Sequence, residues 1–258
     1  MEASHLKLFL SGVEHEDTLG VRGVRLAFEY QDRSAESLAL MKKAAEAGVE
    51  VILISGAKYG RPSGDLDEFC EFLEEYSPLF TLVSNLTVAG DAEESSANLL
   101  RLRERGFVVV PEFRVGDRLP YLLAMSTEPL VILGGLSDHS GSKKDERRWL
   151  AACFRALPGV ALHGSGVSRG KPMSRFPWAS LDSGDWIGAT GWQKVLRSKN
   201  RKFVTATKKR VVSDPILASA VLGRTPYQNG RVDKTAAAVR SAESLVEWVE
   251  EMNRRRSP

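Results

Sequence analysis

Cysteine is scarce in this sequence of 258 residues, and long apolar segments are missing from it. Cys70 and Cys153 have no partner at metal-ligand spacing, and the four histidines are scattered, so a structural zinc site with four ligands is excluded. We interpret the two cysteines as core thiols of a reducing, cytoplasmic protein. We expect neither a metal nor a cofactor.

No run of 18 apolar residues occurs, which predicts that the chain has no membrane-spanning helix. The apolar patch at residues 6–10 is too short, and too soon followed by acidic residues, for a signal peptide. The first strand of a domain explains this patch better. The sequence also lacks the GxGxxG and Walker glycine loops that bind nucleotide phosphates.

Charge of one sign does not dominate the chain, because 36 basic and 33 acidic residues leave a net charge of only +3. Residues 194–210, however, contain eight basic and no acidic side chains. Such a segment is typical of a polyanion-binding site, although a solvated basic face explains the composition equally well. The eight residues are Lys194, Arg197, Lys199, Arg201, Lys202, Lys208, Lys209 and Arg210.

Short apolar runs alternate with amphipathic helical patterns along the chain. The runs are rich in Val, Ile, Leu and Phe with little strict alternation, which is typical of strands buried on both faces. They predict strands at residues 6–10, 24–28, 49–54, 80–88, 107–110, 130–133, 160–162 and 178–181. The helical patterns predict helices at residues 34–47, 66–76, 92–105, 119–125 and 143–157. Asp65, Gly48 and Gly106 are suitable start and stop signals for three of them.

This alternation predicts an α/β fold with a parallel sheet, and about eight strands favour an irregular (β/α)8 barrel of the TIM type. An open doubly wound sheet is the alternative. The link at residues 13–23 is too short and polar for a helix. We expect the barrel core and its site in residues 1–192, and a basic helical extension in residues 193–258 packed on the same domain. Its closing helix, at about residues 234–254, would face the barrel with Ala236, Ala237, Val239, Leu245, Val246 and Val249.

Residues 162–186, LHGSGVSRGKPMSRFPWASLDSGDW, contain the strongest candidate site. One predicted strand ends in His163 and Gly164, and the next ends in Asp182, followed by Asp185. Glycines let a backbone approach a ligand closely, and carboxylates can attack one. The structural alternative is a tight loop in which Asp182 is a turn or cap residue.

Small or polar residues occupy nearly every predicted strand end, where a barrel carries its chemistry. This pattern favours a catalytic Asp182 in a glycine-lined cup beside His163. The strand ends are Ser11-Gly12, Glu29-Tyr30, Ser55-Gly56, Asn85, Glu112, Gly134-Gly135, His163-Gly164 and Asp182.

The string LHGSG…FPWASLDSGDW resembles a pattern of the tRNA-guanine transglycosylase superfamily. The resemblance is closest to the phage and bacterial branch that inserts 7-deazaguanine bases into DNA. It covers most of residues 6–192, and its motifs are short, so only their joint order is specific. The further similar segments, in chain order, are KLFLSG, LISGA, DEF, VPEF, ILGGL and HGSG.

The resemblance implies a DNA guanine transglycosylase, a base-exchanging pentosyltransferase in which Asp182 forms a covalent glycosyl intermediate. The Gly134 and Gly135 N–H groups would stabilise the departing purine, whereas Ser55, Gly56 and Asn85 would lie at the base edge. His163 and Gly164 would lie near the ribose. The implied partners are a 7-deazaguanine base and DNA, single-stranded or with a flipped guanine, whose phosphates residues 194–210 would hold. The implied role is DNA hypermodification, such as protection of phage DNA in the host cytoplasm. The sequence does not decide whether the protein forms a homodimer.

The sequence departs from the family pattern at two strand ends. Ile54 stands where the family carries an acid that assists with the base. The base-recognising Asp that the family carries near the end of residues 80–88 is matched here only by Asn85, or is displaced to Asp91. An Asn presents both a donor and an acceptor to a base. Glu112 and Asp185 are the candidates to replace the missing acid, although Asp185 is equally suited to capping a helix. The zinc cluster of the tRNA enzymes is absent, which fits the DNA branch.

Two other functions stay open. The missing acid suggests a non-catalytic nucleic-acid-binding relative that acts with a partner, although the intact Asp182 strand argues against it. A nucleosidase-like barrel enzyme for small molecules is the other alternative, with a basic segment that is merely solvated.

Overall fold

The computed structural model describes residues 5–13, 16–58, 64–136, 142–167, 171–184, 194–199, 202–207, 227–228, 231–232 and 234–256. Its main sheet has eight strands: β1 Lys7–Ser11, β2 Arg25–Glu29, β3 Glu50–Ile54, β4 Leu82–Val83, β5 Glu112–Arg114, β6 Leu130–Gly134, β7 Ala161–Gly164 and β8 Ser180–Ser183. The helices are α1 Ala35–Glu46, α2 Leu66–Tyr76, α3 Ala92–Glu104, α4 Leu119–Ala124, α5 Lys143–Ala156, α6 Lys171–Arg175 and α7 Lys234–Arg256. Two further pairs of strands are antiparallel: β9 Lys194–Lys199 with β10 Lys202–Thr207, and β11 Tyr227–Gln228 with β12 Arg231–Val232.

The main sheet is entirely parallel and curls on itself. Its strand order is β4-β3-β2-β1-β8-β7-β6-β5. The first and last strands of this sheet along the chain, β1 and β8, are therefore neighbours. Next to the two edge strands, Ser84 and Val110 form an isolated parallel bridge, and the Val110 N–H donates to the Val83 carbonyl. This α/β architecture is compatible with a (β/α)8 barrel.

Two predicted strands are wrong in extent. Residues 107–110 reach the sheet only at Val110, with Val108 92% exposed, and the strand itself is β5 at Glu112–Arg114. The predicted strand at 80–88 is reduced to β4, because the backbone beyond Ser84 turns to α3. In α3, the Asn98 side chain donates to the Leu86 carbonyl and the Ser95 hydroxyl accepts from the Val88 N–H.

The five predicted helices are confirmed to within two residues at each end, together with their start and stop signals. The Asp65 carboxylate accepts hydrogen bonds from two N–H groups of the first turn of α2, as an N-cap does. Gly48 and Gly106 adopt φ values of 71° and 90°, which an L side chain would resist. Within the described residues, no helix combines the length and apolar character needed to cross a membrane.

The link between β1 and β2 forms a short 3-10 helix, Glu16–Gly20, in place of an α-helix. Helix α7 packs against this 3-10 helix and against β1. Of the predicted inner face, Leu245, Val246 and Val249 are buried and Val239 is half-buried, whereas the Ala236 and Ala237 side chains lie outside the described residues. The buried face of α7 also includes Ala238, Ala242 and Trp248.

Helix α7 is tied to the start of the sheet by the side-chain amide of Asn253. Its Oδ1 accepts from the Leu6 N–H at 2.8 Å, and its Nδ2 donates to the Leu6 carbonyl at 2.9 Å. Asn253→Ala would leave both groups of the buried Leu6 unpaired, so we expect the free energy of unfolding to fall by about 1–3 kcal/mol. Urea denaturation measures it. The control Arg254→Ala, at an exposed neighbour, should change it by less than about 0.5 kcal/mol, and equal losses would contradict the prediction.

Candidate functional site

Charged side chains from four strands, β2, β3, β5 and β8, or from the residues that follow them, meet in a pocket at the carboxyl ends of the strands. The pocket has a volume of about 330 Å³ and is lined by three carboxylates, Glu29, Glu112 and Asp182, and by two cations, Lys58 and Arg114. Gly56, Gly135 and Gly166 line it as well. In (β/α)8 barrels, with which this fold is compatible, active sites occupy this end of the sheet, which makes the pocket the candidate site.

Asp182 is held from two sides at the end of β8. Its Oδ2 lies 3.1 Å from Nε2 of His163, and its Oδ1 accepts a hydrogen bond of 3.0 Å from the Gly166 N–H. The His163 Nδ1 lies 2.8 Å from the Ser180 hydroxyl, so in the neutral ring that hydroxyl donates to Nδ1 and Nε2–H donates to Asp182. Asp182 is only 1% exposed. Its carboxylate is therefore fixed in orientation at the floor of the pocket.

Glu112 and Arg114 form a buried ion pair beside this floor. Arg114 Nη1 donates to Glu112 Oε1 at 2.5 Å, and its Nη2 donates to the Ala57 carbonyl. The second oxygen, Oε2, lies 3.3 and 3.4 Å from the hydroxyls of Ser55 and Thr87. These hydroxyls are 2.6 Å apart, so one donates to the other, and that other one donates to Oε2. Both oxygens of Glu112 therefore have partners inside the protein, as a buried charge requires.

Two of the seven predicted base-binding residues line the pocket, and the other five contact protein groups around it. Gly56 and Gly135 line the pocket. Ser55 bonds to Glu112, and the Asn85 amide is used on backbone groups: Oδ1 accepts from the Glu112 N–H at 2.9 Å and Nδ2 donates to the Ser95 carbonyl at 3.0 Å. The remaining three lie behind the pocket wall: Gly134 against Glu112, His163 beneath Asp182, and Gly164 among Val167, Leu181 and Trp178.

Glu29 and Lys58 are pocket residues that the site prediction missed. Glu29 ends β2, where its Oε2 lies 3.0 Å from Lys58 Nζ. Burial raises the pKa of Glu29 above its usual range, while Lys58 opposes that shift and the charges of Asp32 and Asp182 add to it. Glu29 was visible in the sequence as a polar strand end, but no motif distinguished it from the other strand ends.

A second and larger cavity adjoins the pocket. It has a volume of about 1020 Å³, lies between the β1–β2 connection and α1, and shares Glu29 with the first pocket. Part of its charged lining is already paired, because Lys43 lies 2.6 Å from Glu16. The chemistry-bearing groups converge in the smaller pocket, which we therefore take as the site.

For the remaining predicted site residues, the structure describes either the backbone alone or nothing. Asp185, Arg201, Lys208, Lys209 and Arg210 lie outside the described residues. Of the basic segment, Lys194, Arg197 and Lys199 belong to β9 and Lys202 begins β10, opposite Lys199, with only the backbone described. In the described part of the chain, no group of three or more His, Cys, Asp or Glu side chains is arranged to hold a metal ion.

Gly134 provides the space that the Glu112 carboxylate occupies, because a Cβ there would overlap Glu112 Oε1. The carboxylate is fixed by three side chains and cannot move aside freely. We expect Gly134→Ala to lower the free energy of unfolding by about 1–3 kcal/mol. Gly20→Ala is the control, since no atom lies within 4 Å of its new Cβ, and it should change the value by less than about 1 kcal/mol. Equal midpoints in urea would contradict this close contact.

No protein-family model matches the sequence, and no curated protein matches it either. The likeness to the tRNA-guanine transglycosylase superfamily therefore stays a prediction from short motifs, and the site is interpreted from its own chemistry.

Proposed function

We propose that this protein exchanges guanine in DNA for a 7-deazaguanine derivative, with Asp182 as the nucleophile. One observation supports the proposal most: a carboxylate held by His163 and the Gly166 N–H at the end of a parallel strand, inside a pocket with two further carboxylates. The proposal includes a closed (β/α)8 barrel as its scaffold.

The proposed reaction has two displacements at the anomeric carbon of the nucleotide. In the first, an Asp182 oxygen bonds to C1′ as the bond from C1′ to N9 of guanine breaks. In the second, N9 of the incoming base bonds to C1′ and Asp182 leaves as a carboxylate. A covalent ester divides one difficult substitution into two easier ones, and nearby negative charge stabilises the oxocarbenium-like transition states.

The dimensions of the pocket agree with a single base as ligand. A volume of about 330 Å³ lies at the lower end of the roughly 300–1000 Å³ typical of small-molecule sites, so a base pair in its stack would not enter. A guanine in a duplex would have to be turned out of the helix first. The basic residues of β9 and β10 are the proposed phosphate contacts.

Replacement of Asp182 tests the covalent step. We expect wild-type protein and guanine-containing DNA to form an adduct that migrates slowly on a denaturing gel and disappears when a 7-deazaguanine base is added. Asp182→Asn should form no adduct and bind DNA nearly unchanged, because the amide is a poor nucleophile of the same shape. Asp65→Asn, an exposed helix cap that an Asn also satisfies, should behave like wild type.

The remaining outcomes identify the alternatives. Tight DNA binding without an adduct and without exchange of labelled guanine would indicate a non-catalytic relative that acts with a partner. Release of base from free nucleosides without DNA binding would indicate a nucleosidase-like enzyme.

Salt dependence tests whether the ligand is a polyanion. If β9 contacts phosphates, DNA affinity should fall steeply with salt, and replacing Lys194, Arg197 and Lys199 together by Ala should reduce the slope of log K against log salt by about one per lost contact. The control removes equal charge near the carboxyl ends of α1 and α3, at the end of the sheet opposite the pocket: Lys42, Arg101 and Arg105 to Ala. An equal change of slope in both triple variants would argue against a phosphate site on β9.

A further inference from the structure

The proposed exchange needs a proton donor besides Asp182. A guanine that leaves through N9 carries the electron pair of the broken bond and must receive a proton there. The incoming base must lose its N9 proton before it attacks. Asp182 bonds to C1′ and cannot serve this purpose, so a second titratable group must reach the base.

Glu112 is poorly placed to transfer protons. Its Oε1 is occupied by Arg114 and its Oε2 by Ser55 and Thr87, and its side chain is 3% exposed. A proton on either oxygen would disrupt the ion pair and leave the buried guanidinium without its counter-charge.

Glu29 differs from Glu112 in each of these respects. Lys58 is the one hydrogen-bond partner of its carboxylate among the described residues, and its side chain is 24% exposed. It lines the pocket with Asp182 and also lines the adjoining larger cavity, so it is open to both. Register places it opposite Ile54, and its side chain crosses Gly56, where an added Cβ would lie 2.9 Å from the Glu29 Cβ.

We propose that Glu29 donates a proton to N9 of the departing guanine and later accepts the N9 proton of the incoming base. This inference rests on the proposed function. In the first step Glu29 starts protonated and ends as a carboxylate, as C1′–N9 breaks and the bond from C1′ to Asp182 forms. In the second step Glu29 is protonated again as Asp182 leaves. No net proton is gained or lost.

The surroundings of Glu29 suit both of its states. Burial, with the charges of Asp32 and Asp182, raises its pKa and favours the protonated form that the first step needs. Lys58, at 3.0 Å, stabilises the carboxylate that the step produces. Groups that alternate between acid and base need environments that oppose one another in this way.

The test compares two leaving groups. Glu29→Gln should form the Asp182 adduct about 10²- to 10⁴-fold more slowly than wild type from guanine-containing DNA, because proton transfer is lost. With DNA that contains 7-methylguanine, the base leaves neutral without a proton, so Glu29→Gln and wild type should form the adduct at similar rates. Asp65→Asn, at an exposed helix cap whose charge does not act on Glu29, is the control and should keep both rates.

The dependence of the rate of adduct formation on pH is a second test of Glu29. With guanine, the wild-type rate of adduct formation should fall as pH rises through the raised pKa of Glu29, since the active form is protonated. The groups that act on this titration are Lys58, Asp32 and Asp182. The Glu29→Gln rate should lack this fall, and Glu29→Asp should retain it.

Each contrary result has a distinct meaning. Equal slowing of guanine and 7-methylguanine release by Glu29→Gln would show a structural role, and would overturn this inference while the Asp182 mechanism stands. Absence of an Asp182-dependent adduct from either DNA with wild-type protein would overturn both.

Discussion

The pairing of β1 with β8 is the constraint on which the site depends. Phe9 lies opposite Asp182 and Leu10 opposite Ser183, so the strand that carries the proposed nucleophile is fixed beside the first strand of the chain. Strand β2 then brings Glu29 to one side of Asp182, and β7 brings His163 to the other. Since parallel strands end at the same edge, residues distant in sequence share one pocket.

A buried polar network supports the other half of the pocket. The Glu112–Arg114 pair joins the end of β5 to the ends of β3 and β4 through Ser55, Ala57 and Asn85. Charges this deep are stable only when hydrogen-bonded and paired. Several polar strand ends therefore orient one ion pair, and the groups left to meet a ligand are fewer than the polar residues nearby.

Local patterns made the helices and the sheet predictable. Which polar side chains face the pocket and which bond to other protein groups depends on strand register instead. Apolar periodicity and the caps at Asp65, Gly48 and Gly106 act within a few residues, so the sequence alone indicates them. The neighbourhood of His163 and Asp182 followed from two consecutive strands. That Glu29 lies opposite Ile54, and that Asn85 bonds to the backbone of Glu112, depends on side-chain directions that no local pattern encodes.

The bond between Leu6 and Asn253 joins residues 247 positions apart, and it has a consequence for how the protein folds. Contacts of such separation slow folding, because the entropy of closing the chain is lost before the contact stabilises it. During synthesis, β1 emerges long before β8 and α7. Its edge therefore stays unpaired until β8 has been made. Such edges associate with other chains. The arrangement that assembles the pocket therefore makes the protein dependent on late closure, and most exposed to aggregation just before that closure.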